Sequence, residues 1–223
     1  MTVKLFIQAI TKIILGMLLV GLLIFLPAGT ILFSNGWLLI GILFIPMFFA
    51  GIVMMLKNPE LLEKRLKAKE QQSEQKKIIK LSGIMFSAGF IIAGFTFRFN
   101  WYSLSKGVVW AGTVIFLTAY ILYAEVLREN VYLSRIIEVQ ENQKVIDTGL
   151  YGIVRHPMYS ATLFLFLSMP LVLGSIYSFL IFLGYPFIIA KRIKNEEDFL
   201  EKELIGYYEY KQRVKYRLIP FIW

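Results

Sequence analysis

The chain contains a single histidine, His156, set in the run Arg155-His156-Pro157-Met158-Tyr159 just before a long apolar stretch. Proline is tolerated in the first turn of a helix, where its missing N–H costs nothing. The spacing therefore predicts a helix starting at Pro157. Unpaired N–H groups in that first turn, at the positive end of the helix dipole, form an anion site. Arg155 and His156 add donors at the same place. The plainer reading makes Arg155 and Tyr159 interfacial anchors and His156 a cap. A second group follows at Arg192, Glu196 and Glu197. Arg192 and Glu196 share a helix face at i,i+4, and the plainer reading is an ion pair on a helix leaving a membrane. Ionisable groups this close to an apolar run point instead to function. An anion site opposed by carboxylates suits a cationic or zwitterionic ligand with a carboxylate at one end. The chain has no cysteine, which excludes disulfides, thiolate metal sites and a cysteine nucleophile. One histidine gives no basis for a zinc site.

The elements that must position these residues are membrane helices. The 223 residues are 57% hydrophobic, with a mean hydropathy of +0.65, too apolar for an ordinary soluble domain. A spanning helix takes about 20 apolar residues. Six apolar runs stand out, at about 5–26, 37–56, 81–99, 107–127, 158–173 and 176–190. The last two are short and joined through Pro170 and Gly174, which predicts a tight helical hairpin. The first lacks a small-residue cleavage site after a short core and reads as a retained helix. We expect an all-α integral membrane fold of about six spans in a single domain, residues 1–223. In it, residues 1–106 supply amino-terminal helices and a basic loop, and 107–223 the catalytic region with a helical tail that completes the pocket.

Charge orients the chain. Eight Lys/Arg fall in the Lys57–Lys80 loop, four between Arg128 and Pro157, and eight after Ala190. Only Arg98 and Lys106 belong to the opposite side. Lys/Arg excess marks cytoplasmic loops, so the polar chemistry is expected on the cytoplasmic face. The same bias accounts for the formal charge of +9 without a nucleic-acid partner. The segment "KNPELLEKRLKAKEQQSEQKK" predicts a surface helix at headgroup level, capped by Asn58 and opened by Pro59. Glu60–Lys64 and Glu63–Lys67 are i,i+4 pairs in the favourable order. The aromatics read mainly as lipid-facing and interfacial residues.

Two stretches carry a resemblance. "GLYGIVRHPMY" followed by "RIKNEEDFLEKELIGYYEYKQRVKYRLIP" resembles the isoprenylcysteine carboxyl methyltransferase family, which groups with phospholipid N-methyltransferases. It spans roughly residues 125–223 and consists, in order, of RHPxY, R-x3-EE-x2-L, G-x3-Y and RxxP. "NPELLEKRLK" also resembles a stretch common in bacterial members. The resemblance implies a multi-span enzyme using S-adenosylmethionine. It places Gln140, Gln143, Lys144, Val145 and Ile146 near the adenosine and Tyr151 in the pocket wall. It makes His156, Pro157, Met158 and Tyr159 the segment that holds the cofactor, with Glu196 a cofactor-binding carboxylate. It puts Arg192 at the substrate carboxylate and Glu197 beside Glu196. Ala161 stands where many members have glycine, and the connector from Gln140 to Gly149 is shorter than in eukaryotic members.

The implied chemistry suits the residues. Methyl transfer from a sulfonium is an in-line displacement that needs alignment and a free lone pair, not a metal. A carboxylate acceptor is already nucleophilic at neutral pH, and Arg192 could hold it in a bidentate fork. A lipid amine must first lose a proton, and Glu197 could then act as base. The leading expectation is a membrane methyltransferase acting on a lipophilic or membrane-delivered small molecule, with carboxyl O-methylation as one outcome. Two alternatives stand beside it. One is an NADPH-dependent reductase of the sterol-reductase type, with Arg213, Lys215 and Arg217 facing the 2′-phosphate. The other is a non-catalytic membrane scaffold. The Lys- and Ile-rich style suggests a bacterial cell membrane.

Overall fold

A computed structural model describes residues 2–66, 73–134 and 136–223. Among these residues the regular structure is helical. The helices are α1 (Thr2–Ala28), α2 (Ser34–Lys57), α3 (Pro59–Leu66), α4 (Ser73–Arg98), α5 (Lys106–Glu129), α6 (Pro157–Val172), α7 (Ile176–Phe182), α8 (Tyr185–Glu203) and α9 (Tyr207–Arg213), with a single 3-10 turn at Gly149–Gly152. By length and composition five stretches can cross a membrane: Val3–Ala28, Ser34–Lys57, Glu74–Arg98, Lys106–Glu129 and Ile176–Glu203. The fold is an all-α, multi-pass membrane architecture. α6, with 16 residues, is shorter than these five stretches.

The sequence patterns explain the boundaries. Asn58 caps α3, its side-chain oxygen accepting the Leu61 N–H at 3.1 Å, with Pro59 in the first helical position as expected. Of the two ion pairs expected there, Lys64 turns instead to Gln140, and Lys67 lies outside the described residues. Ser105 caps α5 and Ser175 caps α7, each satisfying an otherwise orphaned N–H. The last apolar run is not one helix. It breaks at Leu183 and Gly184 between α7 and α8, because Pro186 removes an N–H and its ring clashes with the carbonyl one turn back. α8 runs back toward the start of α6, with Tyr185 on Thr162 and Arg192 on Tyr159.

Burial divides the helices by role. Only 11% of the apolar window of α1 and 17% of that of α2 is buried within the chain. Leu18, Leu22 and Leu26 stay exposed, as side chains facing lipid must. α6, by contrast, buries Tyr159, Ala161, Leu163, Leu165, Met169 and Val172 against its neighbours. It lies close to α5 because Gly112 leaves room: a Cβ there would meet the Leu171 Cβ at 2.7 Å. Gly94 does the same between α4 and α1, where the Ile24 carbonyl would lie 2.5 Å away. Small residues at helix crossings let backbones approach in this way.

Candidate active site

The end of α5, the connector after it, the start of α6, the second half of α8 and α9 enclose a cleft at the basic end of the molecule. It encloses about 840 Å³ of space, the solvent at its open mouth included. His156, Tyr159, Arg192 and Glu196 form its polar part, and Val145, Ile146, Leu200 and Leu204 are among its apolar lining residues.

Behind the polar part sits a buried ionic hub. The Glu197 side chain is 2% exposed. Its Oε1 accepts from Arg155 Nε at 2.7 Å and lies 3.2 Å from His156 Nε2. Its Oε2 accepts from Arg217 Nε at 3.0 Å. A carboxylate taken from water needs this density of partners. Arg155 also donates to the Val214 and Lys215 carbonyls, at 2.6 and 2.9 Å. The carboxy-terminal segment is further attached through its backbone. The Arg155 and His156 N–H groups donate to the Tyr216 and Arg217 carbonyls, each at 2.9 Å, and Ser160 Oγ donates to the Leu218 carbonyl at 2.6 Å. His156 is therefore the N-cap residue of α6 by position only. Its ring makes no capping bond and turns to Glu197.

One residue earlier on α8, the chemistry changes. Glu196 accepts a short hydrogen bond from the Tyr159 hydroxyl, which itself accepts from Arg192 Nε at 2.9 Å. Tyr159 thus bridges the guanidinium and the carboxylate expected to share a helix face. The His156 and Tyr159 rings stack at 5.6 Å, completing a wall of alternating charge and aromatic surface.

The connector closes the far side by local bonds. Asn130 donates to the Tyr151 hydroxyl at 2.9 Å and its own oxygen accepts the Tyr132 N–H at 3.0 Å. Glu129 accepts the Leu150 N–H at 3.0 Å and so caps the 3-10 turn. Gly149 sits at φ +51°, a conformation that favours glycine, with the Glu129 carboxylate lying where a Cβ would be. Tyr151 is buried, which pushes its phenol above the ordinary value. Its carbonyl accepts the Tyr210 hydroxyl at 2.8 Å.

Most residues expected from sequence meet in this cleft: Gln143, Lys144, Val145, Ile146, Tyr151, His156, Met158, Tyr159, Arg192 and Glu196 line it. Three do not. The Gln140 side chain is engaged with Lys64 Nζ at 2.7 Å and the Tyr132 carbonyl at 2.8 Å. Pro157 is buried as the first residue of α6. Glu197 faces the hub. Sequence reasoning missed Asn130, Tyr132 and Glu138 on the connector side and Leu200, Leu204 and Tyr207 on the other. Leu200 and Leu204 were recoverable, since they repeat the Glu196 position at i+4 and i+8. The connector residues carry no period and no motif.

The molecule is thus a multi-span helical protein with a charged, aromatic-walled cleft where its last helices converge. Residues 107–204 match the phospholipid methyltransferase family model. The matched region spans α5 to the end of α8 and so includes Glu197, Arg155 and His156 of the hub, but not Arg217, and most of the cleft. A search of curated proteins finds no match. The family match and the membrane-like helices together support a membrane methyltransferase.

Proposed function

We propose that this protein binds S-adenosylmethionine from the cytoplasmic side and methylates a lipophilic acceptor delivered by the membrane, in a bacterial cell membrane. The observation that carries the reading is the cleft itself, in which Glu196 and Arg192 meet on the Tyr159 hydroxyl and apolar side chains such as Val145 and Leu200 share the lining. That arrangement fits a zwitterionic amino-acid moiety joined to a flat heteroaromatic ring. Glu196 suits the ammonium. His156 and Arg155 suit the carboxylate. Val145, Ile146 and Leu200 suit the adenine, with Gln143 and Lys144 at its edge and Tyr151 and Met158 as walls. The bound cofactor supplies an electrophilic methyl group on a sulfonium.

Arg192 is then the residue that aligns the acceptor. A carboxylate acceptor needs orientation and no base, and a guanidinium that reaches the cleft through Tyr159 supplies the orientation. In this reading Glu197 is a positioning residue. Its carboxylate is committed to Arg155, His156 and Arg217, which leaves little basicity for proton transfer. A lipid amine is the second acceptor class, favoured by the phospholipid family match. It must shed a proton before attack, and Glu196 is the carboxylate on the cleft wall that can receive it.

Calorimetric titration of the detergent-purified protein with S-adenosylhomocysteine, with NADPH in parallel, tests the class. Saturable binding of S-adenosylhomocysteine alone is expected. Binding of NADPH alone would replace this reading by the reductase. Binding of neither to a folded protein would leave the family domain without its chemistry.

A further inference from the structure

Two tyrosines of α9 face the same cleft with different accounts. Tyr210 donates its hydroxyl to the Tyr151 carbonyl at 2.8 Å. The Tyr207 hydroxyl is buried and finds no hydrogen-bond partner among the described residues, although Tyr207 lines the cleft and is only 4% exposed. Its ring belongs to the apolar cluster of Leu204, Tyr210 and Val214, and packs against the Tyr210 ring at 5.7 Å. A phenylalanine would serve that packing equally well. A buried hydroxyl without a partner is unfavourable, and each such group in a folded protein calls for a reason.

The surroundings indicate the missing partner. Burial, reinforced by the negative charges of Glu197 and Glu196, raises the Tyr207 phenol well above its ordinary value, so the group stays a neutral hydroxyl whose oxygen can accept. The nearby carboxylates favour a cation. An ammonium carries three donors, and one carboxylate oxygen at Glu196 uses one of them.

We propose that the Tyr207 hydroxyl is a ligand contact, accepting a hydrogen bond from the α-ammonium group of the methyl donor while Glu196 takes a second. The assignment rests on the methyltransferase reading and adds a residue outside the matched family segment. It also gives the cleft a means of recognising the amino group by geometry as well as by charge.

The test is a cycle of two proteins and two ligands. Wild type and Tyr207→Phe are titrated with S-adenosylhomocysteine and with its analogue lacking the α-amino group, and each free protein is melted in detergent. Tyr207→Phe is expected to bind S-adenosylhomocysteine roughly tenfold more weakly and to bind the deaminated analogue as wild type does. The free variant should melt no lower than wild type, because the hydroxyl it loses had no partner. Tyr210→Phe, which breaks an existing bond, should melt lower. Equal loss for both ligands, or no loss for either, would overturn the assignment and leave the methyltransferase reading intact. A Tyr207→Phe protein that fails to fold would also overturn it, by showing that the hydroxyl has a structural partner. Wild type that binds no S-adenosylhomocysteine would remove the reading and the assignment together.

Discussion

Glu196 and Glu197 are adjacent in sequence and belong to different regions of the molecule. Glu197 points into a sealed hub, where it collects Arg155, His156 and Arg217 and so joins α6, α8 and the carboxy-terminal segment. Glu196 points into the cleft, where Tyr159 ties it to Arg192. Successive helix residues differ by about 100° around the axis, and that rotation separates a group that holds the site together from one that faces a ligand. Both Glu197 oxygens are engaged in the hub. The cleft wall keeps its charges within reach of something that enters.

The largest effect should come from breaking the hub. Glu197→Leu removes the carboxylate that meets the Arg155 and Arg217 guanidinium groups and the His156 ring. Loss of one partner from a buried network costs about 3–5 kcal/mol. We expect a marked fall in thermal stability in detergent, or loss of folded protein. Glu197→Gln, which keeps the shape and part of the hydrogen bonding, should lose clearly less. If Glu197→Leu melts like wild type, the hub is not what joins the carboxy-terminal segment to the helices.

Glu196→Gln should give the opposite signature. The carboxamide can still accept from Tyr159, so stability should change little. Loss of the negative charge should weaken S-adenosylhomocysteine binding by about tenfold or more, the scale of a hydrogen bond to a charged group of roughly 1.5–3 kcal/mol. Calorimetry on the purified variant reads this directly, and unchanged affinity would remove Glu196 from the cofactor site. Arg192→Ala sharpens the same comparison. Its S-adenosylhomocysteine affinity should stay within about threefold of wild type, while transfer of labelled methyl groups into membrane extract should fall by tenfold or more, the range of one lost positioning contact. A parallel loss of cofactor affinity would place Arg192 with the cofactor instead of the acceptor.

How much of this was legible in the sequence follows from what each feature depends on. The apolar runs declared themselves because each spanning helix must be apolar along its whole length. The start of α6 was readable from Pro157, and the start of α3 from Asn58 and Pro59, because caps and first turns are local chemistry. His156, Met158 and Tyr159 of the cleft wall came from the motif around His156, with Arg192 and Glu196 from the next one. The resemblance separated Glu196 from Glu197, but the place of Glu197 in the hub was out of reach, since it depends on where α6 and the carboxy-terminal segment pack around α8. The break at Gly184 was visible as Pro186 yet was read through, because the apolar run continues across it. The connector wall at Asn130, Tyr132 and Glu138 has no periodicity and is held by side-chain-to-backbone bonds that only the folded chain displays.

The smallest effect tests the other covering element, α3. The carboxy-terminal segment is held by backbone hydrogen bonds and the hub. α3 is held by the buried side chains of Leu61 and Leu62, by Lys64 on Gln140, and by Arg65 on the Tyr123 hydroxyl and the Met158 sulfur. Its start relies on Asn58, whose side chain satisfies the Leu61 N–H. Loss of such a cap costs about 1 kcal/mol. Asn58→Ala should therefore leave the global melt and cofactor affinity nearly unchanged while loosening α3 locally, which raises the population of the opened helix about fivefold. Limited digestion with trypsin reads this as faster cleavage after Lys64 or Arg65. Cleavage no faster than in wild type would mean that the buried leucines, not the cap, keep α3 closed over the connector.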